Sequence, residues 1–349
     1  MIKKYTLSEA EIWDKIVCSF KRYDVYYLSG YVKAFELNGD GEANLIYFEN
    51  DTTKAINVVM KRDLSKSPFF YGEIETGKIY DITTPYGYGG FLIEGSDIEA
   101  LRKEYEEFCG EQKIISEIVR FHPILKNWKN LEGIYDVLYI GNTVYMDLSS
   151  EEIIWKNIAN RNRTKIRKAQ REETEVYWCR APEIIKPFME IYNATMDKDN
   201  ASSYYYFSED FYKSIMKDLK DNSMWFYSVK DGEIAAMTIF LFCNGQMHYH
   251  LSASNSKFQK IAATNLLIYE AACWGCKNGY KTLHIGGGVG AGQDGLYQFK
   301  KGFNKGEDTE FYIGKKIFDK DMYEGLVDIR VRNDKEYNKE TEFFPKYRG

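Results

Sequence analysis

Two dipeptides constrain this chain more than anything else in it: Asp231-Gly232 and Asn244-Gly245. Two-residue hairpins prefer such pairs because the turn holds its central residues at positive φ. They separate three runs rich in β-branched and aromatic residues: Met224–Lys230, Glu233–Cys243 and Gln246–Ser252. Three such runs joined by two tight turns predict an antiparallel meander. Helical patterns precede it over Glu183–Met196 and Ser208–Leu219, and another follows over Ala262–Lys277. A short strand, Lys281–Ile285, then enters a glycine-rich loop that opens a helix carrying Phe299, Lys300 and Lys301. A last strand, Thr309–Ile317, and a polar helical tail, Asp319–Arg332, complete the chain. Helices, a meander, a helix and one more strand make an α+β arrangement, not a doubly wound α/β sheet.

The first half repeats this grammar more loosely. Ser8–Phe20 reads as a helix, with Ser8 and Glu11 spaced as a capping box. Ala43–Phe48 and Ala55–Lys61 read as a hairpin, Ser96–Cys109 as a helix and Lys113–Arg120 as a strand. Tyr135–Ile140 and Thr143–Leu148 are expected as two strands around a turn at Gly141-Asn142. With 349 residues the chain exceeds most single cores. The expectation is two domains of similar class, joined near Leu148.

Composition sets the function classes. The net charge of −5 argues against a general nucleic-acid coat protein. It leaves room for a local basic face, which Arg161, Arg163, Lys165, Arg167, Lys168 and Arg171 supply within one helical segment. No secretory leader pattern precedes the six scattered cysteines, and no run approaches the roughly 18 apolar residues that span a bilayer. A reducing, cytoplasmic location without a transmembrane segment is expected. Cys273 and Cys276 form a CxxC with no second pair, so they read as core packing.

Several residue types can carry chemistry. The strand-end loop contains Gly290 and Gly292, where backbone N–H groups can face an anion. Its formal GxGxxG spacing does not make a dinucleotide site, because too little chain follows to complete one. Arg163 and Arg167 lie four apart, on one helical face, and can grip phosphates or stand as a solvated surface. His248 and His250 alternate with Tyr249, which puts both histidines on one side of a strand. His250 is a candidate general base and Tyr249 a candidate groove residue. Zinc would need further ligands, and only His284 is placed to be a third, so no metal is expected.

The order from Met224 to Phe303 resembles the acyl-CoA N-acyltransferase (GNAT) fold. Two segments resemble a narrower group, the Fem-type peptidoglycan aminoacyltransferases without a coiled-coil arm. One is Ala159–Ala169, similar to a basic helix ending in IRKA; the other is Gly295–Phe303, similar to GLxxFKxxF. The resemblance implies two tandem GNAT-like domains, each a mixed, largely antiparallel sheet flanked by helices. The first would span 1–148, with the tail 319–349 returning to it; the second, 149–318, would carry the transfer site. It also implies transfer of an acetyl, acyl or aminoacyl group onto an amine of a cell-envelope or polysaccharide precursor. The donor would be acetyl-CoA or another acyl-CoA, or else aminoacyl-tRNA, and the acceptor a nucleotide-linked sugar or peptide. Lys300 falls on the family's FK lysine, with Phe299 beside it, and would stabilise the oxyanion of transfer. Gln259 falls on the GNAT coenzyme A signature, but Ala262 and Thr264 stand where glycine-type residues belong. Two readings compete with general acyl transfer: an aminoacyl-tRNA-dependent enzyme building peptidoglycan bridges, and a ligand-binding protein that kept the fold without catalysis.

Overall fold

The computed structural model describes residues 1–349. The chain opens with β1 (Ile2–Thr6), α1 (Ala10–Cys18), α2 (Ser29–Leu37), β2 (Glu42–Glu49) and β3 (Lys54–Asp63). β4 (Tyr80–Thr83), β5 (Leu92–Glu94), α3 (Ile98–Glu111), β6 (Ile114–Arg120) and β7 (Asp136–Asp147) follow. Next come α4 (Glu151–Asn157), α5 (Asn160–Arg171), β8 (Glu175–Cys179), α6 (Ile185–Lys198) and α7 (Glu209–Asp218). The meander is β9 (Ser223–Lys230), β10 (Glu233–Cys243) and β11 (Gln246–Ser254). α8 (Ala263–Lys277), β12 (Thr282–Gly286), α9 (Gly295–Lys301), β13 (Thr309–Ile317) and α10 (Lys320–Asn333) complete it.

The chain forms two units, Met1–Ile140 with Phe311–Gly349, and Gly141–Glu310. These limits differ from the expected 1–148 and 149–318, and strand pairing supplies the reason. Val144–Asp147 of β7 pairs with β12, so it belongs to the second unit. Ile313–Ile317 of β13 pairs antiparallel with β6, so it belongs to the first. β7 also runs unbroken where a turn was expected. Gly141 serves a close approach there: a Cβ on it would lie 2.5 Å from the Ala291 carbonyl oxygen.

The first unit is a sheet ordered β1-β2-β3-β4-β6-β13, antiparallel except for the parallel pair β4/β6. One face buries Phe91, Leu101, Tyr105 and Phe121. Another cluster joins Leu64, Phe70 and Ile115 to Tyr323, Leu326 and Val327 of α10 and to Tyr347 of the tail. α10 is therefore amphipathic, not the uniformly polar tail its composition suggested. Near the N-terminus the helix starts later than expected, and the cap is Thr6 with Glu9. β1 takes Ile2–Thr6, so Ser8 falls inside the first turn instead of at its cap.

The second unit repeats the plan as β8-β9-β10-β11-β12-β7, antiparallel except for β11/β12. Both turns of the meander form as predicted, with Asp231, Gly232, Asn244 and Gly245 all at positive φ. α8 packs its apolar residues Leu266, Leu267, Ala271 and Ala272 into a core with Phe226, Phe240, Met247 and Leu283. Cys273 is buried in that packing, which pushes its thiol up to about 11 and leaves it inert. No helix is long and apolar enough to cross a membrane.

Candidate active site

The candidate residues of the second unit cluster where two parallel strands part. β11 and β12 pair at Gln246, Met247 and His248, opposite Thr282, Leu283 and His284, and the pairing goes no further. His250 sits one step beyond, at a bulge in β11 between the pairs Phe240–Tyr249 and Ile239–Leu251. A bulge re-aims a side chain and strengthens the local bend. At the matching level of β12, Gly286 turns at φ 83° into the glycine loop. The strand ends thus leave a gap bordered by His250 on one side and the loop on the other.

The loop is held from within. Asp294 caps α9, accepting 2.8 Å from the Tyr297 N–H, and accepts at 3.0 Å from Val289 N–H. These two backbone donors hold its carboxyl below the usual range. Gly288 has no room for a side chain, since a Cβ would lie 2.4 Å from an Asp294 oxygen. Gly290 is needed for another reason, a left-handed φ of 58° in open space. Gly292 is exposed at extended backbone angles.

Lys300 projects from α9 into this loop. Its Nζ donates to the Gly287 carbonyl at 2.6 Å and lies 3.4 Å from where a Gly286 Cβ would be. Burial pushes its pKa down to about 8, and the Asp294 charge offsets only part of that. A lysine so placed is mostly protonated at pH 7 and mostly free amine by about pH 9. It can stabilise a developing oxyanion, or as free amine take a proton.

His250 is half-buried, and desolvation, followed by the nearby His248, pushes its pKa down to about 3. It is therefore a neutral imidazole at any physiological pH. Such a low pKa makes it a weak proton acceptor and suits it to orienting a substrate hydrogen bond. His248 is buried with its ring 5.7 Å from that of His284, whose Nε2 meets the Thr143 hydroxyl at 2.8 Å. Tyr249 faces the other way, its ring 5.8 Å from Phe240 in the core. Phe299 packs against Phe303 at 5.5 Å and serves the seat of α9.

Beyond the meander, Gln259 is exposed on the turn that leads into α8. Ala262 caps α8 at φ 59°, ψ 38°. That is the left-handed conformation that glycine takes without strain, and an alanine there costs about 1 kcal/mol. The turn into α8 thus closes without the glycines, and it leaves backbone N–H groups at the α8 N-terminus of the kind that can face an anion. α5 touches the turn before α8 and helix α9: Lys168 Nζ donates at 2.8 Å to the Lys260 carbonyl, and Arg161 donates to the Gln298 carbonyl. Arg163 and Arg167 stack over the Trp155 ring, at 5.9 and 5.2 Å from its centroid. Lys300 thus meets the loop that carries Gly290 and Gly292, His250 lies where β11 leaves β12, Arg163 and Arg167 pack on Trp155 of α4, and Tyr249 and Phe299 go into packing. Sequence reasoning missed Asp294, although an aspartate just before a helical run is a standard N-cap signal. It also missed Asn162, which is buried against α9 and carries no local signal.

Residues 156–301 match the family model of the acetyltransferase (GNAT) domain. No curated protein matches the sequence. Among solved structures, FemX superposes with a TM-score of 0.68 at 15% identity, covering 93% of this chain and 99% of that one. A conserved protein of unknown function from Bacteroides thetaiotaomicron VPI-5482 gives 0.58 at 13% identity, over 90% and 98% of the two chains. The C-terminal domain of a putative lysylphosphatidylglycerol synthetase from Agrobacterium fabrum gives 0.55 at 12%, over 94% and 95%. At these identities the likeness is one of fold.

Proposed function

We propose, for a chain whose residues 156–301 match the GNAT acetyltransferase domain model, that it transfers an acyl group onto an amine of a cell-envelope or polysaccharide precursor. The observation that carries this reading is Lys300, held at the gap where β11 and β12 part. In the reaction the acceptor nitrogen attacks the donor carbonyl and forms the new C–N bond. The carbonyl oxygen becomes an oxyanion beside the Lys300 ammonium. Collapse of the tetrahedral adduct breaks the bond to the donor's sulfur or oxygen, and the proton lost by the amine leaves with that group. His250, neutral throughout, orients the amine.

The Gln259–Thr264 turn and the α8 N-terminus would hold the pyrophosphate of an acyl-CoA. A specific observation also favours an aminoacyl-tRNA donor. α5 carries Arg161, Arg163, Lys165, Arg167, Lys168 and Arg171 and no acid, and none of the six forms an ion pair. Unpaired cations this dense suit a polyphosphate backbone. The name of the Agrobacterium neighbour also speaks for aminoacyl transfer.

Thermal stabilisation tests the reading and separates the donors. Acetyl-CoA, coenzyme A and a nucleotide-linked peptidoglycan precursor are compared side by side. A ligand at about 100 times its dissociation constant adds about 2.7 kcal/mol. A shift with coenzyme A species selects acyl-CoA. A shift with the precursor alone selects the tRNA branch, in which ribonuclease abolishes transfer. Purified protein that responds to none of them, and transfers nothing from charged tRNA, overturns the proposal.

A further inference from the structure

α9 is short, and its last carbonyls point toward α5. The first turn of α5 and the residue before it supply donors to three of them. The Ala159 N–H donates to the Gly302 carbonyl at 2.9 Å. The Arg161 guanidinium donates to the Gln298 carbonyl. The Asn162 amide reaches the Phe299 carbonyl at 3.5 Å. Three residues past Gly302, the Lys305 N–H donates at 2.8 Å to the Asn157 carbonyl, so the chain leaving α9 is tied to the chain entering α5. The last carbonyls of a helix have no partners within it and need them from elsewhere. Here the Gly302 and Phe303 N–H groups close the Phe299 and Lys300 carbonyls at 3.2 and 2.9 Å, and the start of α5 adds donors at Gln298, Phe299 and Gly302.

The fit is close. Asn162 is 1% exposed, and a Cβ on Gly302 would lie 2.5 Å from its amide nitrogen. Gly302 has φ −62° and ψ −13°, angles any residue adopts. Its lack of a side chain is therefore required by Asn162 and not by the backbone. The residue whose place depends on this seat is Lys300, two residues back on α9, with its Nζ on the Gly287 carbonyl.

We propose that Arg161 and Asn162 are positioning residues for Lys300, holding α9 against α5 so that the lysine amine stays in the glycine loop. The functional meaning rests on the reading of Lys300 as the cation of the transfer site, but the structural claim is measurable without any substrate. Loosening the seat lets water reach the amine, and a better-solvated lysine titrates nearer its ordinary value.

The test is competitive labelling of the folded full-length chain with light and heavy acetic anhydride across pH 6 to 11, read on the peptide containing Lys300. In the native chain Lys300 titrates well below the surface lysines. Gly302→Ala drives a methyl into Asn162, and the Lys300 titration moves up by about one pH unit or more. Adding Asn162→Ala to Gly302→Ala makes room for the methyl and brings the titration back part of the way. Arg161→Met, an exposed position, moves it up in the same direction, and Lys165→Met on the exposed face of α5 does not. If Gly302→Ala fails to fold, Arg161→Met decides by the same readout. A Lys300 titration unchanged by these substitutions, in protein with native circular dichroism, overturns the proposal. A Lys300→Met protein with full turnover would instead overturn the transfer role and leave this result standing.

Discussion

Replacing Lys300 by methionine should stabilise the protein at neutral pH while it removes the transfer chemistry. The lysine is held near 8 instead of its ordinary 10.5. At about 1.4 kcal/mol per tenfold, that difference is a penalty of about 3 kcal/mol on the charged form. Partial solvent access reduces it to about 2 kcal/mol. Methionine keeps the length of the stem and forfeits the hydrogen bond to Gly287, worth about 1 kcal/mol. The expected net gain at pH 7 is about 1 kcal/mol. Its pH dependence has a definite sign. Between roughly 8 and 10.5 the unfolded chain holds the Lys300 proton and the folded chain has released it, so native stability rises with pH there. The advantage of Lys300→Met is therefore present below pH 8 and lost by about pH 10.5. Urea unfolding of both proteins at pH 7 and pH 10 measures it, because every other titrating group cancels in the difference. A variant less stable at pH 7, by an amount that does not change at pH 10, would show that the lysine bears no burial penalty. Once a substrate is in hand, the same substitution should lower kcat by about 10²–10³-fold, and the native rate should fall above pH 8.

Two further predictions concern the first unit. Glu117 is buried beneath the Tyr105 hydroxyl at 2.8 Å and the Asn57 amide at 2.9 Å. Burial pushes its pKa up to about 7 against those two donors, so its contribution to stability is present below about 4.5 and lost as pH rises through 7. Glu117→Gln should gain on the native protein by on the order of 3 kcal/mol between pH 4 and pH 8, read by denaturant unfolding; an offset equal at both would refute the shift. Asp81, also buried, is gripped by Arg62 at 2.8 Å and by Arg348 at 2.5 and 2.9 Å. Burial alone would raise its pKa, and the two arginines together bring it below the ordinary value. Its stabilising effect is thus lost as pH falls through the folded pKa. Arg348→Ala should cost about 2 kcal/mol and move the acid-unfolding midpoint upward, since one arginine no longer opposes protonation. An unchanged midpoint by circular dichroism would show that the tail does not grip Asp81.

Local chemistry determined the parts that were legible in the sequence. Asp231-Gly232 and Asn244-Gly245 turn as they must, because few other pairs reach those angles cheaply. Thr309–Ile317 was bounded to the residue, and α5 and α8 to within a residue or two, because periodicity and capping are short-range properties. The glycine loop and Lys300 stood out for the same reason: glycines and a motif are adjacent in the chain. Tertiary structure decided what needs partners far apart in sequence. Gly141 looked like a turn residue and is instead the point where the Ala291 backbone crosses a continuous strand. β13 left its sequence neighbours to pair with β6, nearly two hundred residues back, which moved the boundary between the units. His250 was read by alternation, but a bulge and burial set its direction and its proton affinity. Lys300 itself was legible as a residue, while its lowered pKa depends on burial, and burial is a property of the packed whole.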